Sequence, residues 1–292
     1  MIILHHNDLD GRAAAAIVLM ALRDRKDDHG YETTVIEMDY NREIPYPRIH
    51  KDELVFAVDL ALTPDQVNRI GKITNHFFWF DHHKTSLQNV YPNVFRGKLD
   101  TEKCGCILVW ECFFRDKQPP RSLLLIDDYD RWVFNYGEET NHFRFGMETL
   151  DHSPEQEIWL KLLDIDEETQ LIENIKERGK VAIAFRDNFT ADYRRARGFT
   201  ANFEGHLCYC LNLYNLSSQM FGDKINEFDI CIGFVFDGLR YTVGLYSQKL
   251  DVSEIAKKYG GGGHPGAAGF VCKQLPFSAS MAKNDVGPAR DQ

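Results

Sequence analysis

Phe77-Phe78-Trp79-Phe80-Asp81-His82-His83 is the segment from which the interpretation of this chain starts, because an apolar run stops there at one acid and two imidazoles. A short apolar run predicts a buried strand, followed here by side chains that hold metals or protons. A second segment lies far downstream, Gly260-Gly261-Gly262-Gly263-His264-Pro265-Gly266-Ala267-Ala268-Gly269. Its successive glycines predict a loop that aims N–H groups at an anion, with one imidazole at its centre. Together the segments predict a site that holds metal ions and grips a phosphate between two domains.

The composition predicts a globular protein of two domains. The chain has 292 residues, of which 43% are hydrophobic and 27% charged, as is ordinary for globular proteins. Its formal net charge of -10 argues against a protein that coats long duplex nucleic acid, where a basic face supplies the affinity. A small phosphorylated substrate stays compatible, because bound divalent cations would be the largest local charges in the site.

Cysteine usage and hydropathy predict a cytoplasmic protein that does not enter membranes. The seven cysteines are an odd number and include no C-x-x-C pair, so we expect reduced, mostly buried thiols. The apolar stretch 13–22 is too short to span a bilayer. It is preceded by acids and histidines rather than by a basic segment, so we expect no signal peptide.

The first half of the chain alternates strand-like and helix-like segments. The predicted strands cover residues 2–4, 33–38, 54–60 and 77–80. The predicted helices cover residues 12–23, 66–73, 105–114 and 122–126, the second of them introduced by a Thr-Pro pair at 63–64. Strands that are apolar on both faces and alternate with helices predict an α/β fold with a doubly wound parallel sheet.

The domain boundaries follow from the change in pattern along the chain. We expect a metal-binding domain over residues 1–150, a charged helical connector over 151–199 and a flexible tail over 276–292. Between them, residues 200–275 predict a second, smaller α/β domain. Its expected elements are strands at 207–211, 230–236 and 241–246, and a helix at 252–259 that ends in glycine.

Acids and histidines cluster where the predicted strands stop. These residues are His6, Asp8, Asp10, Asp59, Asp81, His82 and His83. Ligands of parallel α/β sheets bind beyond the carboxyl ends of the strands, so these side chains are expected to converge. Mixed carboxylate and imidazole ligands favour Mn²⁺ over Mg²⁺. A two-metal site needs one carboxylate that bridges ions about 3.5–4 Å apart, and Asp59, alone on its strand, is the natural bridge.

These motifs resemble those of a known superfamily. Asp81-His82-His83, preceded by His6-Asn7-Asp8-Leu9-Asp10-Gly11 and by Asp59, resembles the DHH phosphoesterase superfamily. The glycine block, preceded by Val252-Ser253-Glu254-Ile255-Ala256-Lys257-Lys258, resembles the DHHA1 domain that follows it. The resemblance covers residues 1–272 and is nearest to the nano-RNase and cyclic-nucleotide phosphodiesterase group. It implies a DHH catalytic domain, a DHHA1 substrate domain and an active site in the cleft between them.

The resemblance also implies roles for individual residues. One cation would be held by His6, Asp8 and Asp59, and the other by Asp10, Asp59, His82 and an acid of the segment 126–132. Asp130 is favoured because Phe134 follows it four residues later, while Asp127 and Asp128 stay open, as does His5 in place of His6. His83 would contact the scissile phosphate or act as an acid, and Asp81 would orient a histidine. The implied substrate-binding residues are Gly261, Gly262, Gly263, His264, Tyr246 and Arg131.

The implied function is hydrolysis by a two-metal phosphodiesterase. The expected cofactors are two divalent cations, Mn²⁺ first and Mg²⁺ as the alternative. The expected substrate is a short RNA, a linear dinucleotide or a cyclic nucleotide, with no long duplex partner and no membrane partner. The oligomeric state stays open, and a homodimer is compatible. The alternatives are a RecJ-type single-strand exonuclease, a pyrophosphatase or polyphosphatase, and a nucleotide sensor without catalysis.

Overall fold

The computed structural model describes residues 1–23, 33–39, 42–213 and 217–279. Contacts divide the chain into two compact units, Met1–Ile183 and Ala184–Gln292. The first unit contains β1 Ile2–His6, α1 Leu9–Leu22, β2 Thr34–Met38, β3 Val55–Val58, α2 Pro64–Ile73, β4 Phe77–Asp81, α3 Lys84–Leu87, β5 Arg96–Leu99, α4 Gly105–Phe113, α5 Arg121–Asp130, α6 Glu138–Met147 and α7 Ile158–Leu162. Helix α8, Glu168–Arg197, begins in the first unit and ends in the second.

The sheet of the first unit is parallel throughout. Its strand order is β2-β1-β3-β4-β5, and each neighbouring pair runs in the same direction. Alternate side chains of a strand enter opposite faces, so Phe56 and Phe80 join the hydrophobic core formed with α1 and α4. Ala57 and Trp79 join a separate core on the other face. Helices cover both faces, which confirms the predicted doubly wound sheet.

Two helices of this unit begin at side-chain caps. Asp8 precedes α1 and accepts a hydrogen bond from the Gly11 amide at 2.9 Å. Thr63 and Gln66 form a reciprocal capping box at the start of α2, which satisfies two amides that a helix leaves unpaired. Helix α1 therefore begins three residues before the predicted start at position 12. Gly11 allows this, because a Cβ there would lie 2.5 Å from the main-chain oxygen of His6.

Strand β5 and the strand at residues 199–203 have no counterpart in the sequence prediction. Strand β5 lies at the edge of the first sheet and exposes Arg96, Gly97 and Lys98, so no apolar run marks it. Strand β6, Phe199–Phe203, lies at the edge of the second sheet and buries only Ala201 and Phe203. Edge strands carry polar side chains that limit pairing with other chains, and this composition hides them from a search for buried runs.

The second unit contains a six-stranded sheet with helices packed against it. Its elements are β6 Phe199–Phe203, β7 His206–Leu211, α9 Lys224–Glu227, β8 Ile230–Phe236, β9 Tyr241–Tyr246, α10 Val252–Lys258, β10 Gly262–His264 and β11 Ala267–Cys272. The strand order is β10-β11-β9-β8-β7-β6, in which β7 and β8 run parallel. The predicted strands at 207–211, 230–236 and 241–246 coincide with β7, β8 and β9.

The start of the predicted tail packs on this sheet. Phe277 lies 5.7 Å from Phe203 and 5.8 Å from Phe234, measured between ring centroids. Ala279 forms a single bridge to Ala201. The remainder of the predicted tail, 280–292, lies outside the described residues. Across the described part of the chain, no helix is both long enough and apolar enough to traverse a bilayer.

Candidate metal centre

The carboxyl ends of three adjacent strands bring the predicted ligands to one edge of the parallel sheet. His6 is the last residue of β1, Asp81 is the last residue of β4, and Asp59 follows β3. The Asp59 amide still donates to the carbonyl of Phe80 at 2.8 Å, after which the chain turns sharply. Asp59 makes this turn with a φ of 54°, a left-handed conformation that only a few non-glycine residue types adopt readily. The turn fixes its carboxylate at the sheet edge.

His6, Asp8 and Asp59 form the first group of potential metal ligands. Nδ1 of His6 lies 2.6 Å from Oδ2 of Asp8 and 3.6 Å from Oδ2 of Asp59. The ligand atoms of the three residues all lie within 4.8 Å of one another. This is the set that the sequence analysis expected around one cation.

Asp10, His82 and Asp130 form the second group. Nε2 of His82 lies 3.3 Å from Oδ2 of Asp130 and 3.8 Å from Oδ2 of Asp10. The same nitrogen lies 3.2 Å from Oδ1 of Asp59. Asp59 therefore turns one oxygen towards His82 and the other towards His6, as a bridging carboxylate must.

Three carboxylate oxygens of the two groups are buried without a hydrogen-bond partner. They are both oxygens of Asp59, a residue only 1% exposed, and Oδ2 of Asp130. Buried polar atoms are nearly always paired in native proteins, because an unpaired one costs about 1–3 kcal/mol. A divalent cation would satisfy these oxygens, so the residues present fit a metal.

Burial and mutual repulsion disfavour the ionised forms of the two central acids. Burial, followed by the negative charges of Asp8 and Asp10, raises the pKa of Asp59 well above its usual range. Burial and the charge of Asp10 do the same to the pKa of Asp130. Without a cation the group therefore retains protons that a metal ion would displace.

For the two histidines of these groups, by contrast, the surroundings favour the charged form. Burial works against a charged His6, but the nearby carboxylate of Asp59 and the hydrogen-bonded carboxylate of Asp8 outweigh it and raise the pKa of His6 to about 11. For His82 the opposing burial is outweighed chiefly by Asp130, and its pKa is also raised. Positive charge is thus favoured at both positions, as expected where cations bind among acids.

Asp10 is fixed by the start of helix α4. Its two oxygens accept the amides of Gly105 and Cys106 at 2.6 and 2.7 Å. Gly105 is required for this approach, because a Cβ there would lie 2.8 Å from Cβ of Asp59 and 3.0 Å from Oδ2 of Asp10. Cys104 lies with Cys106 and Asp10 in a further group of potential ligand atoms. Both thiols were expected to be reduced and buried, because their C-x-C spacing matches neither common zinc pattern.

His83 lies with Asp59 and His82 in another group of potential ligand atoms and is hydrogen-bonded to Asp81. Nδ1 of His83 lies 2.7 Å from Oδ1 of Asp81, whose side chain has no exposed surface. The other oxygen of Asp81 accepts the hydroxyl of Ser86, a contact the sequence analysis did not identify. Because Nδ1 is engaged by Asp81, Nε2 is the nitrogen that can meet a substrate. Nδ1 of His83 also lies 3.9 Å from Oδ1 of Asp59.

The geometry separates the three acids that the sequence left open. Asp127 accepts two hydrogen bonds from the Arg131 guanidinium, at 2.9 and 2.8 Å, and one from the Cys104 amide. Asp128 accepts the amides of Asn135 and Tyr136 and the hydroxyl of Thr140. Asp130 alone of the three lies in a ligand group.

Two further assignments can be placed in the same way. Nδ1 of the buried His5 lies 2.7 Å from the main-chain oxygen of His6, and it is His6 that belongs to a ligand group. Arg131 is held in the bidentate pair with Asp127, and its predicted contact with substrate stays a prediction.

The glycine-rich segment belongs to the second unit and forms a hairpin rather than an open loop. The amides of Gly260 and Gly261 donate to carbonyls at the end of α10, those of Lys257 and Ala256. These two amides are therefore hydrogen-bonded within the second unit. Gly262, Gly263 and His264 form β10, paired with β11.

Tyr246 ends strand β9 of the same unit. It pairs with Ala267 of β11, and its ring packs 5.6 Å from that of Phe221. The substrate contacts expected of the glycines, His264 and Tyr246 stay predictions.

Comparison with known proteins places the fold. No protein-family model matches the chain. An uncharacterised curated protein of Acanthamoeba polyphaga mimivirus is 26% identical over 250 residues, which cover 80% of this chain and 57% of that protein. The chain thus spans little more than half the length of that relative.

Two solved structures share the architecture. The pGpG-specific phosphodiesterase PggH of Vibrio cholerae superposes with a TM-score of 0.52 at 16% identity, over 93% of both chains. The DHH domain of a member of a ribosomal-protein family gives a TM-score of 0.53 at 13% identity, over 93% of this chain and 82% of that one. The chain therefore has a DHH-type fold, with a parallel α/β sheet and a second sheet domain.

Proposed function

We propose that this protein is a metal-dependent phosphodiesterase of the DHH superfamily that hydrolyses short oligoribonucleotides, linear dinucleotides or cyclic nucleotides. The observation that carries the proposal is the position of Asp59 between two groups of ligands. Its two buried oxygens face His82 and His6 and lack hydrogen-bond partners, as a carboxylate that bridges two cations requires.

The two proposed ligand sets share Asp59. His6, Asp8 and Asp59 would hold one, and Asp10, Asp59, His82 and Asp130 the other. When bound, a pair of divalent cations stabilises charge on the transferred phosphoryl group and lowers the pKa of a nucleophilic water. The mixture of carboxylate and imidazole ligands favours Mn²⁺ over Mg²⁺.

His83 is the chain's own candidate for proton handling. The buried carboxylate of Asp81 holds a proton on Nδ1 and fixes the orientation of the ring. Nε2 can then contact a non-bridging phosphate oxygen, or donate a proton to the leaving oxygen when the ring is charged. Ser86 contributes by holding the second oxygen of Asp81.

Trp132 favours a nucleotide over an inorganic polyphosphate. It follows Asp130 by two residues, is 52% exposed and has a φ of 58°, which is unusual for a bulky side chain. Asp128 holds the backbone that follows, through the amides of Asn135 and Tyr136. An exposed indole two residues along the chain from a proposed metal ligand can stack a nucleobase, which pyrophosphate lacks. The net charge of -10 favours short chains over long ones.

The test is a panel of substrates with Mn²⁺. It contains di- to hexanucleotides, long single strands, cyclic mono- and dinucleotides, and pyrophosphate, with products separated by chromatography. The likeness of fold to a pGpG phosphodiesterase makes pGpG the first dinucleotide to include. We expect nucleoside monophosphates from short substrates. Preference for long single strands would indicate a RecJ-type exonuclease, orthophosphate from pyrophosphate would indicate a pyrophosphatase, and no turnover at all would indicate a sensor.

Paired carboxylate variants assign the activity to the metal centre. Asp59→Asn should abolish Mn²⁺ binding and turnover together. Asp65→Asn changes an exposed acid at the start of α2 and should leave both intact. Full Mn²⁺-dependent activity in Asp59→Asn would contradict the bridging role.

A further inference from the structure

We propose that Asp10, Cys104 and Cys106 form a binding site for a thiophilic divalent cation such as Zn²⁺ or Cd²⁺. Their ligand atoms lie within 4.8 Å of one another, and all three residues are buried. The site shares Asp10 with the proposed phosphodiesterase centre, but its existence does not depend on that activity.

The two sulfurs already lie near the separation that a metal imposes. Sγ of Cys104 and Sγ of Cys106 are 3.4 Å apart. Two thiolates at about 2.3 Å from a tetrahedral Zn²⁺ lie about 3.8 Å from each other. A shift of a few tenths of an ångström therefore suffices, which side-chain rotation can supply without a change in the backbone.

The backbone around the thiols is held in place. Gly105, between the two cysteines, donates its amide to Asp10, and so does Cys106. Cys104 donates its amide to Asp127, which is itself paired with Arg131. Three consecutive amides thus tie the thiols and the carboxylate into one unit. Preformed ligands of this kind lower the entropic cost of metal binding.

The chemistry of the ligands distinguishes this site from its neighbour. Thiolate sulfur selects Zn²⁺ and other soft ions, whereas carboxylate oxygen suits Mn²⁺ and Mg²⁺. On binding, each thiol loses a proton to the buffer as its sulfur–metal bond forms. Asp10 also faces Nε2 of His82 at 3.8 Å, so a soft cation would withdraw it from the second ligand group. Thiophilic cations are therefore expected to displace one of two bound Mn²⁺ ions.

A titration of the metal-free protein with Cd²⁺ alone tests the site. Sulfur-to-cadmium charge transfer absorbs in the ultraviolet and reports thiolate coordination without any substrate. We expect the wild-type protein to show this absorption, saturating at one Cd²⁺ per chain. Cys104→Ser/Cys106→Ser should lose it. Cys208→Ser/Cys210→Ser, which removes the other C-x-C pair, buried in β7, should retain it.

A second measurement needs no variant and decides the question if the double substitution prevents folding. The wild-type protein is alkylated in mild denaturant with and without Cd²⁺, and the modified peptides are identified by mass spectrometry. Protection of Cys104 and Cys106 supports the site. Absence of the absorption in the wild-type protein, its persistence in Cys104→Ser/Cys106→Ser, or protection of other cysteines in place of these two overturns it.

The two proposals fail in different ways. If the substrate panel shows no turnover with Mn²⁺ while the Cd²⁺ absorption depends on Cys104 and Cys106, the proposed function fails and the thiol site stands. If phosphodiester hydrolysis is found but the absorption is absent, the thiol site fails alone.

Discussion

Asp59→Asn should stabilise the metal-free protein while removing its response to metal. The two oxygens of Asp59 are buried, unpaired and close to Asp8 and Asp10, whose charges oppose its ionisation. Asparagine removes the charge and tolerates the left-handed backbone at φ 54°. The amide of asparagine is still buried, so the gain comes from removing a buried charge that Asp8 and Asp10 repel. We expect the free energy of unfolding to rise by about 1–3 kcal/mol, the order of the penalty for an uncompensated buried group. For a unit of this size that corresponds to a rise in melting temperature of about 2–4 °C per kcal/mol.

Metal should reverse the order of stability. A ligand that binds only the folded state at 1,000 times its dissociation constant stabilises it by about 4.1 kcal/mol, which exceeds the gain expected for Asp59→Asn. With saturating Mn²⁺ the wild-type protein should gain this amount and Asp59→Asn should not. The measurement is thermal unfolding of both proteins with chelator and with Mn²⁺, and Asp65→Asn is the control.

The pH dependence of the effect has a definite sign. The pKa of Asp59 is raised in the folded protein, so ionisation penalises the folded state as pH rises above the ordinary carboxyl pKa. The advantage of Asp59→Asn should therefore be largest near neutral pH and shrink on acidification, because protonated Asp59 carries no charge. An Asp59→Asn protein that is less stable than wild type in chelator, or that Mn²⁺ still stabilises, would refute the reasoning.

Three further predictions concern binding and turnover. The pKa of His6 is raised to about 11 and that of Asp59 is also raised, so Mn²⁺ binding should release protons and weaken as pH falls. Calorimetry in buffers of different ionisation enthalpy measures the number of protons released. Equal heats of binding in all buffers would contradict this prediction. Asp81→Asn should lower kcat about 10- to 100-fold through the orientation of His83, with Mn²⁺ affinity nearly unchanged, so that a loss confined to metal binding would argue against this role. Trp132→Ala should raise KM for dinucleotides by an amount equivalent to about 1–3 kcal/mol and leave any hydrolysis of pyrophosphate unchanged; an equal effect on both substrates would exclude base stacking.

The strand ends were predictable because buried strands appear in the sequence as apolar runs that end at a polar residue. The run of Phe and Trp at 77–80 stops abruptly at Asp81, and every side chain of β3 is buried before Asp59. In a parallel sheet such ends meet at one edge, so convergence of the acids followed from topology alone. The ligand groups around His6 and His82 could thus be anticipated from residues far apart in the chain.

Other parts of the centre could not be read from sequence, because they depend on which way a side chain points. Apart from the resemblance, the sequence gives no means of choosing among Asp127, Asp128 and Asp130 as the metal ligand. The direction of each side chain on α5 decides, and Asp130 is the one that lies beside His82. The approach of α4 to Asp10 joins segments that share no pattern and depends on the missing side chain of Gly105. Edge strand β5 was not predicted, because its exposed residues show no alternation of apolar and polar side chains.

Asp8 divides its carboxylate between two tasks. Oδ1 receives the Gly11 amide and starts helix α1, while Oδ2 faces His6. A cation bound to Oδ2 would therefore be held by the same side chain that caps helix α1. Hydrogen exchange at the Gly11 amide should then slow as the cation binds, and its rate would report the fraction of metal-bound protein without any attached label.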